Sequence, residues 1–227
     1  MKSPRGFSLP ELLTGTAIVV ALLAIALSAL QGAMRNARST ECLGKIRALG
    51  QAFLVYLAEH QGTFPRSWHS AGSHGEPGWA FAVAPYLGVT RNEMDTRWPV
   101  VFQRHYRSPV DKESNPFAFS YALNVYFELD PQGDDYPGSP ETWRQIQSVA
   151  RPSRTVLLAQ SKPVNFGDHL MCHLWSAPSA ARNALNATAH RGKAHYLFVD
   201  GHVERLLLEH VFSPTEHVNL FHPSLSR

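Results

Sequence analysis

This chain is poor in cysteine, modest in charge and empty of familiar catalytic fingerprints. Two cysteines, Cys42 and Cys172, stand far apart among 227 residues. One disulfide is open to them in an oxidising compartment, and two buried free thiols fit the sequence equally well. There is no HExxH, no paired CxxC, no nucleophile elbow, no phosphate-cradling glycine loop and no dinucleotide fingerprint. The expectation is therefore a protein without catalytic residues and without a resident metal. No lysine-rich or arginine-rich patch with interleaved aromatics occurs either, which argues against nucleic acid as a partner. The formal charge of +3 owes much to Lys2 and Arg5, and without the first six residues the chain is close to neutral.

What the chain has in abundance is one apolar run. Leu12 to Met34 carries no charge and exceeds the roughly 20 residues a helix needs to cross a bilayer. A secretory signal places its small-residue cleavage site after a core of roughly 7 to 15 apolar residues. Here the order is inverted, because Gly6 precedes the run. A carboxylate, Glu11, sits at the leading edge, where an ionisable group is costly and is a functional candidate by default. A plain signal anchor with Glu11 as an interfacial charge fits the same residues.

Gly6-Phe7-Ser8-Leu9-Pro10-Glu11-Leu12-Leu13 resembles the processing site of type IV prepilins and type II secretion pseudopilins. The resemblance implies cleavage by a prepilin peptidase between Gly6 and Phe7, and N-methylation of Phe7. The apolar helix then stays on the mature chain and becomes filament core. Pro10 stands where an aliphatic residue is commoner, and the first turn of a helix tolerates it. Inside an apolar bundle the amine of Phe7 and the carboxylate of Glu11 are each expensive alone. Pairing between neighbouring subunits removes both costs and sets axial register. The implied partners are the peptidase, copies of this chain and other pilin-like subunits, and an inner-membrane assembly platform.

Past the apolar run the helix is expected to continue. Cys42, Ile46, Leu49, Phe53 and Tyr56/Leu57 recur at spacings of four and three, on one face, and the helix should stop near Gln61-Gly62. The stretch from Gly62 to Gly78 reads as a polar loop, and Trp79 to Val89 as a short buried helix closed by Gly88. Residues 90–118 show no clean period. Phe117 to Phe127 has the bias of a strand, and Ser153 to Gln160 reads as a buried strand. Ala194–Val199 and His202–Leu207 form two β-type runs joined by Asp200-Gly201, a signal for a two-residue hairpin turn with positive φ at both centres.

His190, nine intervening residues, then Asp200-Gly201 resembles the C-terminal signature of a bacterial domain associated with prepilin-type N-termini, the H-X9-DG domain often found in secretion-type pseudopilins. CLGKIRALGQAFLVYLAEHQGTFP, WAFAVAPYL, FSYALN and PSRTVLLA fit collinearly. The chain departs at Ser108-Pro109, where relatives often carry a cysteine before the proline. A catalytic or metal pair of His190 with Asp200 is one reading. Turn chemistry at Asp200-Gly201, with His190 anchoring the incoming loop, is the favoured one.

The resulting expectation is an α+β fold of pilin-like layout. A long N-terminal helix, half membrane and half amphipathic, packs on a small antiparallel β-sheet head. Its parts are a leader (1–6), a membrane or filament-core helix (7–34), an amphipathic continuation (35–61) and an exported head (62–227). The protein is expected in the inner membrane as a single-pass chain, N-terminus cytoplasmic and head periplasmic, and in a filament after assembly. His169, Cys172 and His173 form the tightest cluster of metal-ligating types, with His169 and His173 on one face if helical. Asp130, Asp134 and Asp135 are candidate calcium ligands without the spacing of a calcium loop. Five tryptophans, Trp68, Trp79, Trp98, Trp143 and Trp175, support an alternative: a membrane-anchored exported binding module, for example for glycans.

Overall fold

A computed structural model describes residues 8–111, 115, 117–128, 143–162 and 167–224. The chain divides into two compact units, residues 1–40 and 41–227. Helix α1, Leu9–Glu59, is an unbroken helix of 51 residues. In the first unit its side chains are exposed, including Leu12, Leu13, Ile18, Val20, Leu23 and Ile25. This helix is long and apolar enough to cross a membrane.

In the second unit, α1 buries the face expected from its spacing. Cys42, Ile46, Leu49, Phe53 and Leu57 are all buried, and Tyr56 lies half-buried at the margin. Burying each large side chain of that stripe stabilises the fold by about 1.5–3 kcal/mol. The helix closes where glycine permits it. Gln61 and Gly62 both take positive φ (55° and 79°), and the Gly62 N–H donates to the Leu57 carbonyl at 2.7 Å.

Among the described residues five short helices follow: α2 (Trp68–His74), α3 (Trp79–Val83), α4 (Arg91–Thr96), α5 (Trp98–His105) and, later in the chain, α6 (Pro178–Ala184). Helix α2 lies inside the stretch expected to be loop. Ser67 at its N-cap and left-handed Gly75 at its C-cap were visible signals, outweighed by the surrounding polar residues. Helices α4 and α5 occupy the region without a clean period. Thr90 and Glu93 make a reciprocal capping box on α4, and Pro99 sits in the first turn of α5. Both helices are too short for a periodic pattern to develop.

The main sheet has five strands: β1 (Tyr121–Asn124), β2 (Val156–Gln160), β3 (His169–Leu170), β4 (Ala194–Phe198) and β5 (Val203–Leu206), in the order β3-β1-β2-β4-β5. The fold is α+β, with a sheet that is mixed rather than wholly antiparallel. β1–β2, β2–β4 and β4–β5 are antiparallel, and β3 joins the edge parallel to β1. A second ribbon pairs β6 (Phe212–Ser213) with β7 (Val218–Asn219). The expected strand over Phe117–Phe127 shrinks to β1, because Val125–Glu128 turns into a 3₁₀ helix. Asn124 causes that exit: its Oδ1 accepts the Tyr126 N–H at 3.0 Å. Its Nδ2 donates to the Val156 and Phe221 carbonyls at 2.7 Å each, tying β1 to β2 and to the C-terminal segment.

Candidate functional site

The hairpin carrying the H-X9-DG spacing is built differently from the expectation. The two-residue turn with positive φ at both centres lies at Arg191-Gly192 (57° and 84°), not at Asp200-Gly201. There the His190 N–H donates to the Lys193 carbonyl at 2.8 Å and Lys193 returns the bond at 3.3 Å. At the far end of β4 the Gly201 N–H donates to Phe198 O, and the Phe198 N–H donates to His202 O, both at 2.9 Å. That is a three-residue loop, a tight turn followed by a glycine bulge, with only Gly201 at positive φ (90°).

His190 and Asp200 therefore bracket β4 from opposite ends, separated by about 3.3 Å per residue along a five-residue strand. They do not form a pair. Asp200 Oδ1 accepts from the backbone N–H and the Nδ1 of His202, whose ring stacks on Phe198 at 4.4 Å. The carboxylate braces its own loop. Gly201 serves a second purpose: a Cβ there would stand 2.5 Å from Leu54 Cδ1 on α1. A side chain at this position would push Leu54 aside and strain a backbone held at a φ of 90°, and both effects favour glycine.

His190 is buried, and its ring centroid lies 4.3 Å from that of His195. Among the described residues His190 Nε2 and His195 Nδ1 have no hydrogen-bond partner. Burial pushes both imidazoles below the usual range, with Arg205 adding to the effect on each. His195, which also feels His190 and Arg47, falls to about 4. Both are neutral near pH 7.

In the N-terminal unit Glu11 reaches back to Ser8, accepting its N–H at 2.8 Å and its hydroxyl at 2.6 Å. Ser8-x-x-Glu11 thus supplies half a capping box, a signal overlooked beside the processing motif. Gly6 and Phe7 lie outside the described residues, as do Asp130, Asp134 and Asp135.

The cysteines are separate, free and buried. Cys172 Sγ donates to Asn124 Oδ1 at 3.0 Å, and burial pushes its thiol up to about 12. Cys42 Sγ meets Ser108 Oγ at 2.8 Å, and burial raises that thiol too. The serine that departs from the family pattern is the residue touching Cys42. The His169–His173 stretch is not a helix: β3 holds His169 and a 3₁₀ turn holds Cys172–Leu174. His169 Nδ1 contacts Asp168 Oδ1 at 2.9 Å while Cys172 turns toward Asn124. Among the described residues no group of three or more His, Cys, Asp or Glu side chains converges to hold a metal.

Two buried carboxylates were missed in the sequence. Glu128 Oε1 accepts the Ser67 N–H at 2.7 Å, and Asp168 Oδ2 accepts the Trp68 N–H at 2.6 Å, so both cap the start of α2. Burial raises the carboxyl of Glu128, opposed by hydrogen bonds from Ser70 and Ser67. Asp168 also borders a cavity of about 260 Å³ lined by Trp68, Phe81, Trp98, Phe102, Phe117 and Phe119, with Gly78 and Ala80. Of the five tryptophans, Trp79 and Trp143 are buried, Trp175 and Trp98 half-buried, and Trp68 is 57 % exposed. No signal in the sequence marked Trp68 and Trp98 as sharing one site, because they meet only through the packing of α2, α3 and α5.

No family model, no curated protein and no solved structure matches this chain.

Proposed function

We propose that this chain is a pilin-like structural subunit, a pseudopilin, cut between Gly6 and Phe7, methylated on Phe7 and assembled into a periplasmic or surface filament of a type II secretion or type IV pilus-like system. One observation carries this: a single 51-residue helix whose first part is apolar and exposed, while residues 42–57 bury one face in an α+β head. Exposed apolar surface of that extent needs lipid or like helices around it. Such a subunit waits in the inner membrane, N-terminus cytoplasmic and head periplasmic, then packs helix on helix with copies of itself and other pilin-like subunits on an inner-membrane platform. Its work is mechanical, and it needs neither catalytic group nor cofactor.

The contact of Ser108 with Cys42 adds support, because the position where relatives carry a cysteine lies against a cysteine here. Intact mass of the mature protein from native membranes tests the proposal. A mass for a chain beginning at methylated Phe7 is expected. A full-length mass, or a cut after Met34, would overturn it.

A second reading, a membrane-anchored binding module, is favoured by the aromatic cavity that joins Trp68 to Trp98.

A further inference from the structure

We propose that the aromatic cavity of the head binds an organic ammonium group, of the quaternary type carried by choline. The inference deepens the binding-module reading and does not depend on filament assembly, so intact mass tests one and ligand titration the other. The walls are ring faces and edges. Phe81 stacks on Trp98 at 3.9 Å, and Trp68 leans on Phe81 at 5.7 Å. On the other side Phe102 meets Phe117 edge-on at 6.0 Å. Trp68 and Phe117, 57 % and 48 % exposed, are large aromatic side chains that folding leaves uncovered at the cavity.

Among the described residues, Asp168 is the only charged one in the lining. Its side chain is almost fully buried, and its two oxygens already accept bonds from the Trp68 N–H and from His169 Nδ1. It therefore offers the cavity negative charge more than directed lone pairs. A sugar wants many directed partners, which this lining lacks. An anion is repelled. A quaternary ammonium carries no N–H to satisfy, is attracted by aromatic faces and by a nearby carboxylate, and loses little hydration on entering. Two sources share that chemistry, a free choline-like solute and a phosphocholine headgroup.

The test is ligand-observed saturation-transfer NMR on the full chain in maltoside micelles, which contain no ammonium group. The probes are choline, glycerophosphocholine and 3,3-dimethylbutanol, the uncharged isostere of choline. Saturable transfer to the trimethylammonium protons is expected, with the isostere weaker by roughly tenfold. Stronger binding of choline assigns a free cation, and stronger binding of glycerophosphocholine assigns a headgroup. Trp68→Ala, at an exposed position, should abolish transfer while leaving the melting temperature unchanged. Asp168→Asn, where it folds, should bring choline down to the level of the isostere. Equal binding of the isostere, no binding of either cation, or full binding by Trp68→Ala overturns the proposal.

Discussion

The carbonyl oxygen of Gly201 lies 3.3 Å from the point where a Cβ on Gly50 would stand. Gly50, in the middle of α1, thus leaves room for the backbone of the turn after β4, while a Cβ on Gly201 would meet Leu54 one turn further along the helix. The same Cβ on Gly50 would stand 2.6 Å from Leu197 Cδ1. Helix and hairpin touch backbone to backbone, which fixes how the sheet seats on the helix within the head.

Glycine substitutions should divide by location. Gly201→Ala meets both a φ of 90° and Leu54, and should cost about 1–3 kcal/mol. Gly50→Ala gains helix propensity but overpacks Leu197, with a net loss of about 1 kcal/mol. Gly44→Ala, on the same helix with nothing within 4 Å, should stabilise by up to about 1 kcal/mol. Denaturant unfolding of the three variants in micelles checks the order, and a stabilised Gly201→Ala would contradict the close approach.

Stability should fall in mild acid. His190 and His195 hold their protons less tightly folded than unfolded, so the unfolded chain binds more protons between the ordinary imidazole range near 6.5 and the value of about 4 at His195. Their contribution is complete above the ordinary range and is lost as pH drops through that window. Melting temperature should rise with pH across that window, and His195→Gln should flatten the slope. An unchanged slope would place the acid sensitivity elsewhere.

Asn124 saturates its side chain with two carbonyls, one N–H and the Cys172 thiol while fully buried. Asn124→Leu strands those partners without water and should cost about 2–4 kcal/mol. Unfolding of this variant with a near-native loss below 1 kcal/mol, on the order of one ordinary hydrogen bond, would contradict that role.

Ser108→Cys should form a disulfide with Cys42 under mild oxidation, since Ser108 Oγ already lies 2.8 Å from Cys42 Sγ. The bridge would close a separation of 66 residues and stabilise by about 2–4 kcal/mol. Non-reducing electrophoresis and thiol titration read it out. Two thiols still titratable after oxidation would show that the backbones cannot meet.

Glu11→Gln keeps an oxygen for the Ser8 N–H while removing the charge. Monomer abundance in membranes should stay near wild type and filament assembly should fail, as seen in shearing or cross-linking assays. Normal assembly of this variant would reduce Glu11 to a helix cap.

The long helix was legible in the sequence because its signals are strong and local: an uncharged run, then Cys42 to Leu57 at helical spacing. So was the Trp79 helix, where Gly88 supplies the left-handed stop. The hairpin was found in place but with the wrong turn, since Asp-Gly serves a two-residue turn and a glycine bulge alike. Which one forms is decided by pairing register, with Leu197 opposite Val203. Helices α2, α4 and α5 span eight residues or fewer, so only their end signals announced them. The aromatic cavity and the Cys42–Ser108 contact depend on residues tens of positions apart, which no local pattern encodes.

The two turns around β4 also make the interval from His190 to Asp200 a ruler. On one side of the strand Leu197 meets the bare backbone of Gly50; on the other Tyr196 faces the edge of Phe221. Inserting or deleting one residue between the turns would exchange the two sides and drive a tyrosine into a slot cut for glycine. Length in this segment is therefore as strict a requirement as identity, and lineages of this fold should change its letters far more readily than their number.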